Sequence, residues 1–244
     1  MENGRRAASS ILPLFLPMII ALDGPAASGK STTARLVARR LGFRYLDTGA
    51  MYRAFALAAL RRGLSPEAFA ADLPPLALDL GYDADGNQTV ALDGEDVTEA
   101  IRTREMGPAA SAISRHAPVR AYLVRMQQAL GRRYSDEAGG AVLDGRDIGT
   151  VVFPDAELKV FVIADARTRA ERRLAELEAR GEQHPDRAAA LAALEAELVE
   201  RDAQDAARAA GPLRAAPDAI VVDTTDLSPE EQVEIVVAHA QRRM

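Results

Sequence analysis

Residues 24–32 read Gly24-Pro25-Ala26-Ala27-Ser28-Gly29-Lys30-Ser31-Thr32. The spacing Gly-x-x-x-x-Gly-Lys-Ser, with an apolar run before it and helical periodicity after it, can cradle phosphate groups. Glycines let backbone N–H groups approach phosphate oxygens that a side chain would block. A helix starting near Lys30 adds unpaired N–H groups and the positive end of its dipole. Lys30 brings a mobile ammonium to β- and γ-phosphates, and Ser31 a hydroxyl to Mg2+. Of 30 basic residues only Lys30 and Lys159 are lysines, so lysine was kept at position 30 in a chain that otherwise uses arginine. Switches, motors and small-molecule kinases all use such loops, so the rest of the chain must choose among them.

Three further groups of residues carry chemistry. Asp144 closes an apolar run. A carboxylate at the ligand edge of a parallel sheet can hold a water of Mg2+. In Tyr45-Leu-Asp-Thr-Gly-Ala-Met-Tyr-Arg-Ala-Phe55, a strand gives way to a helix. There Thr48 either caps the helix or faces a ligand. Arg53, one turn in, can clamp a phosphate bidentately. In the stretch Val142 to Pro154, Arg146 and Asp147 occupy a tight turn between a buried strand and an apolar run, which aims them at the same edge.

These residues need a frame. Ile19–Asp23, Phe43–Leu46, Ala141–Leu143, Leu158–Ala164 and Ile220–Val222 read as short buried strands. Lys30–Leu41, Ala50–Arg62, Val119–Tyr134 and Glu230–Arg243 have helical spacing, and Gly42 and Gly63 stop the first two. Two long, arginine-rich helices meet near Gly181–Asp186. Buried strands alternating with helices predict an α/β fold with a central parallel five-stranded sheet covered on both faces. Residues 64–118 break the pattern. Turn signals at Asp85-Gly86-Asn87 and Asp93-Gly94 predict a small antiparallel hairpin unit inserted into that fold.

The composition narrows the function. A length of 244 residues suits one large domain or a core with an insert. The net charge of -6 argues against a nucleic-acid partner. The absence of cysteine rules out disulfides, thiolate metal sites and cysteine nucleophiles. Arg5-Arg6 and the apolar run to Leu22 imitate a signal peptide, but Pro13 and Pro17 interrupt the run, which leads straight into the glycine-rich loop. Residues 1–17 are therefore expected to be a loose tail, with Met18 as an alternative start, and no membrane association is expected.

Taken in order, Asp23-Gly-Pro-Ala-Ala-Ser-Gly-Lys-Ser-Thr32, Tyr45-Leu-Asp-Thr-Gly-Ala-Met-Tyr-Arg53, Asp144-Gly-Arg-Asp-Ile-Gly-Thr-Val-Val-Phe-Pro-Asp-Ala156 and Glu200-Arg-Asp-Ala-Gln-Asp-Ala-Ala-Arg-Ala-Ala-Gly-Pro-Leu213 closely resemble the bacterial cytidylate kinase family, from about Ile19 to the C-terminus. The first motif is common to many kinases, whereas the second and third together are specific. The resemblance implies a P-loop kinase with an inserted β/α unit for the nucleoside monophosphate at about 64–118 and a helical lid at about 181–208. The core would comprise 18–63, 119–180 and 209–244. It also implies transfer of the γ-phosphoryl group of ATP to CMP or dCMP, with Mg2+, by a cytoplasmic monomer.

By position, the resemblance assigns ATP to Gly24–Thr32 with Arg169 and Arg173, and the metal to Ser31 and, through water, Asp144. Thr48, Arg201 and Asp205 would touch the acceptor's sugar. Arg53, Arg146 and Arg208 would hold its phosphate and, with Lys30, the transferring group. Ser111, Arg120 and Asp147 would read the base. That trio also makes chemical sense alone: cytosine's N4 amino group donates to a carboxylate, and its O2 and N3 accept from a guanidinium. Uracil would set an oxygen against Asp147. The lid departs from more arginine-rich relatives at Gln204 and Ala206, and position 48 carries threonine where serine is frequent.

Rival readings meet obstacles. A GTP switch needs an Asn-Lys-x-Asp element, and the only asparagines, Asn3 and Asn87, do not precede lysine. A shikimate- or gluconate-type kinase would lack the insert and the Gly145-Arg146-Asp147 turn. A UMP/CMP-type acceptor range is the nearer alternative. A nucleotide-binding protein without turnover would not need Lys30, Ser31, Arg53 and Arg146 together. The three histidines, His116, His184 and His239, are not required, because an acceptor phosphate is already anionic.

Overall fold

The computed structural model describes residues 17–244; the tail expected over residues 1–17 lies, except for Pro17, outside the described residues. In chain order the elements are β1 (Met18–Asp23), α1 (Lys30–Leu41), β2 (Arg44–Asp47), α2 (Thr48–Arg61), α3 (Pro66–Ala71), β3 (Leu78–Tyr82), β4 (Gln88–Leu92), β5 (Glu95–Asp96), α4 (Met106–Ile113), α5 (Ala117–Ala138), β6 (Gly140–Gly145), β7 (Leu158–Ile163), α6 (Ala166–Ala179), α7 (Arg187–Ala206), β8 (Ile220–Asp223) and α8 (Pro229–Gln241). The five predicted core strands form one sheet in the order β2-β6-β1-β7-β8. Every pairing in it is parallel. The carboxyl ends of β1, β2 and β6 lie side by side, with Asp47 opposite Asp144 and Asp23 opposite Gly145. In open parallel sheets this is the edge where ligands collect.

Each face of the sheet is closed by its own apolar cluster. On one side Ile20, Leu22, Val142 and Val160 pack against Val37 of α1 and Val236 of α8. On the other, Leu46 and Leu143 meet Met51 and Phe55 of α2 and Leu123 of α5, and the cluster continues into the inserted unit through Phe69, Val90 and Ile101. Strands β3, β4 and β5 form the antiparallel sheet predicted from its two glycine turns. Two side chains fasten it to the core: the Tyr82 hydroxyl donates to the Tyr45 carbonyl at 2.7 Å, and Gln88 Oε1 accepts from Asp47 N at 2.9 Å. A third cluster joins α6 and α7 through Leu174, Leu177, Leu191, Leu194 and Leu198 and seats both helices on Ala26 of the glycine-rich loop.

The helix ends corrected one expectation. Thr48 does not cap α2; the cap is Asp47, whose carboxylate accepts from Ala50 N at 3.0 Å. Aspartate fits because its backbone still belongs to β2 while its side chain reaches the first free N–H groups of the helix. No helix among the described residues is long and apolar enough to cross a membrane.

Candidate active site

The loop at 24–31 is built from close backbone approaches. A side chain on Gly24 would collide with the Val162 carbonyl of β7, so glycine is required there by the neighbouring strand. Gly29 has φ +88° and caps α1 in the left-handed region, and Ala27 adopts φ 58°. Gly24, Pro25 and Ser28 are buried beneath the loop, while Ser31 and Thr32 are exposed to the cleft. The loop is propped from behind: Thr224 donates to the Ser28 carbonyl at 2.9 Å, and Arg172 donates to the Thr224 hydroxyl at 3.0 Å. Gln232 accepts from Thr33 at 2.7 Å. Sequence reading missed these three supports because they lie nearly 200 residues from the loop or on the far side of an unremarkable helix.

The loop opens into a cleft of about 570 Å³ that runs between the inserted unit and the α6–α7 pair. Lys30 lines it and is almost fully buried, with its ammonium donating to the Pro25 carbonyl at 3.2 Å. Burial, reinforced by the Arg146 charge, pulls its pKa down to about 7, against the attraction of Asp144 and Asp47. Asp144 is pushed up to about 6 by burial and by its neighbour Asp47; Lys30, the Ser31 hydroxyl and Arg53 resist that rise. A buried and a half-buried carboxylate on adjacent strand ends, Asp144 and Asp47, with a hydroxyl in reach of the first, form a place that favours added positive charge.

Arginines dominate the middle of the cleft. Arg53 donates to Asp47 at 2.8 Å, and its buried Nε has no acceptor among the described residues. Arg146 donates from Nε to Asp205 at 2.8 Å, and Arg208 pairs with the other oxygen of the same carboxylate. Burial opposes ionisation of Asp205, yet Arg146 and Arg208 together hold its pKa below the usual range. Arg201 lines the cleft and, among the described residues, has no carboxylate in ion-pair distance; burial first, then Arg146, lower its pKa to about 10, and its buried Nε lacks an acceptor among those residues. Buried donors of this kind call for an anion.

Arg120 and Asp147, which also line the cleft, form a buried ion pair. Burial raises the Asp147 pKa against the pull of Arg120. Ser111 is buried beside them on α4 and lines the same wall. Thr48 also lines the cleft, but its hydroxyl donates to the Asp144 carbonyl at 2.7 Å.

Besides Gly24, Pro25 and Ser28 under the loop, two expected residues lie off the cleft lining. Asp205 is fully buried, and both its oxygens are taken by arginines, so it organises Arg146 and Arg208 from behind the cleft wall. Arg169 is turned onto Asp202 at 2.6 Å and the Ala26 carbonyl at 3.3 Å, beneath the loop. Its neighbour Arg173 does line the cleft, paired with Glu176 at 3.1 Å. Arg169 points inward because helical periodicity places it on the face of α6 that carries Ala170 and Leu174. Arg35, Arg102, Arg104 and Arg180 also line the cleft and were not foreseen, since single arginines on helices and loops look like solvated charge in a sequence.

A cleft lined by a phosphate cradle, a paired carboxylate and guanidinium, and the four arginines Arg53, Arg146, Arg201 and Arg208 has the groups to hold two phosphorylated ligands. The family model for cytidylate kinase matches residues 20–242. A cytidylate kinase from Salinibacter ruber is 50% identical over 222 residues, covering 90% of this chain and 95% of the relative. One from Pelodictyon phaeoclathratiforme is 49% identical over 235 residues, covering 93% and 96% respectively. A bifunctional pantoate ligase/cytidylate kinase from a Synechococcus species is 48% identical over 219 residues, which cover 88% of this chain and 43% of that longer protein.

Proposed function

The chain belongs to the cytidylate kinase family, and from that premise we propose that it transfers the γ-phosphoryl group of ATP to CMP or dCMP, giving ADP and CDP or dCDP. The observation that best supports this reading, beyond family membership, is the buried Arg120–Asp147 pair in the wall of the cleft that Lys30 also lines. Asp147 accepts from the N4 amino group of cytosine, and Arg120 donates to O2 or N3. Ser111 completes the base wall.

The chemistry asks the protein for alignment and charge rather than covalent work. The loop Gly24–Thr32 binds the triphosphate of ATP through the backbone N–H groups of its residues other than Pro25, and Arg173 meets the donor from α6. Arg53, Arg146, Arg201 and Arg208 hold the acceptor phosphate and neutralise the equatorial oxygens of the transferring group. Thr48 supports the acceptor's sugar. Lys30 follows the charge of the γ-phosphoryl as it moves. No general base is needed, because the attacking oxygen belongs to a phosphate. Closure of 181–208 and of 64–118 over the ligands excludes water, so that the phosphoryl group is not lost to hydrolysis.

Mg2+ fits this site. Asp144, buried, and Asp47, half-buried, are adjacent carboxylates, and Ser31 lies in hydrogen-bonding reach of Asp144. Magnesium in kinases takes few protein ligands and keeps several waters, so no dedicated cage is required. Ser31, and Asp144 through water, would hold it. When bound, the ion would supply positive charge that offsets the negative charge of the triphosphate. We place the enzyme in the cytoplasm as a monomer.

The direct test is ADP formation from ATP and Mg2+ with CMP, dCMP, UMP, AMP or shikimate as acceptor. CMP and dCMP are expected to lead; if neither is among the best acceptors, the reading fails. A narrower expectation concerns Asp147→Ala. It should lower kcat/KM for CMP by about 10²-fold or more, because a polar site that loses its partner discriminates strongly. The loss with UMP should be much smaller. Equal losses with both acceptors would contradict base reading by Asp147. The variant also strands a buried arginine, so its folding should be checked by circular dichroism alongside the rates.

A further inference from the structure

Arg146 and Asp147 both sit on the turn that follows β6, and the question is what gives a turn the precision that base reading needs. The turn leaves the sheet at Gly145 and continues as one short π-helical segment, Ile148–Val152. Its first two N–H groups do not bond within that segment. Both donate to Asp23, with Ile148 N at 2.7 Å from one carboxylate oxygen and Gly149 N at 2.7 Å from the other. Asp23 is the last residue of β1 and is 5% exposed. Its fork extends the strand ladder past Gly145, where backbone pairing stops.

A second buried charge grips the far side. Lys159 on β7 lays its methylenes on Gly149 and gives its ammonium to the Pro154 carbonyl and to Asp218 at 2.8 Å. The chain's only lysine besides Lys30 is therefore spent on the other end of the same turn.

We infer that Asp23 is a positioning residue for acceptor recognition: its carboxylate fixes the Arg146–Asp147 turn and so sets the preference for cytosine. The inference rests on the acceptor reading above. The chemistry requires a carboxylate. Two parallel N–H donors need two acceptor oxygens, and an asparagine offers one oxygen and one NH2, which would face a donor with a donor. The same residue joins the donor loop to the acceptor turn, since Gly24 follows it directly.

The test is Asp23→Asn in the full chain, with initial rates for CMP and UMP at saturating ATP and Mg2+. The preference for CMP over UMP, as a ratio of kcat/KM values, should shrink about 10-fold or more, in line with the loss of one buried polar partner. Affinity for a fluorescent ATP analogue should change less than about threefold, since the loop's own amides are untouched. A merely structural role would lower both acceptors together and leave the ratio intact, and that result overturns the inference. So does a loss of ATP affinity as large as the loss of CMP activity. If the variant does not fold, the wild-type protein decides. Its Ile148 and Gly149 amides should resonate far downfield and exchange slowly with solvent, and ordinary shifts with fast exchange would refute the anchoring. A wild-type protein that ignores CMP while showing those amide signatures would sink the acceptor reading and leave Asp23 as an anchor without the selectivity role.

Discussion

Lys30→Met is expected to lower kcat with ATP and CMP by about 10³-fold or more while leaving the melting temperature equal or higher. Both halves follow from burial. The ammonium sits in a desolvated site where burial and Arg146 already press its pKa down to about 7. Folding therefore bears the cost of keeping a charge there, and a methionine of similar length removes it. What disappears is the only compact cation close to the loop, and charge placed in advance at such sites is worth on the order of 10²–10³ or more in rate. Lys30→Arg should not restore activity. A planar guanidinium is larger than an ammonium and presents its donors in a fixed fork, so it does not reproduce the point charge that Lys30 sets 3.2 Å from the Pro25 carbonyl. Steady-state rates and differential scanning calorimetry check the two halves separately. A kcat within about tenfold of wild type would remove Lys30 from the transferring step.

Asp205→Ala should damage stability more than any other single change in the site. The carboxylate is fully buried and is the shared partner of Arg146 and Arg208, with Arg201 close by. Its removal leaves Arg146 and Arg208 without the carboxylate they share, beside Arg201. Breaking a buried pair in this way costs about 3–5 kcal/mol, which for a chain of this size corresponds to a fall in melting temperature on the order of 10 °C. The fall should be smaller with CMP, or with millimolar inorganic phosphate, because an anion that binds among the arginines stabilises the folded state by mass action. Thermal shift measurements with and without phosphate test this. A variant that melts within about 2 °C of wild type, or that gains no more from phosphate than wild type does, would show that Asp205 is not the charge that holds the arginines together.

Much of the frame was legible in the sequence because its rules are local. The glycine-rich loop, the helix from Lys30 to Leu41 and the hairpins at Gly86 and Gly94 each depend on neighbours a few residues away. Buried strands alternating with helices imply a parallel sheet whatever the details of packing. The candidate site was legible as a set of residue types, and most of the expected side chains do line one cleft.

Their partners were not legible, since those are set by strand order. Only the arrangement β2-β6-β1-β7-β8 brings the ends of β1 and β6 together, and only then can Asp23 receive two amides from 125 and 126 residues away. The adjacent Arg146 and Asp147 could have been one solvated surface pair. Folding separates them: Arg146 goes to Asp205, 59 residues on, and Asp147 to Arg120, 27 residues back. By itself the sequence determined that a triphosphate could be held and which side chains could surround it. Tertiary structure decided which of those charges are withdrawn from water and what each faces there. That decision sets their energies, because a charge pair worth little at the surface becomes costly to break once it is buried.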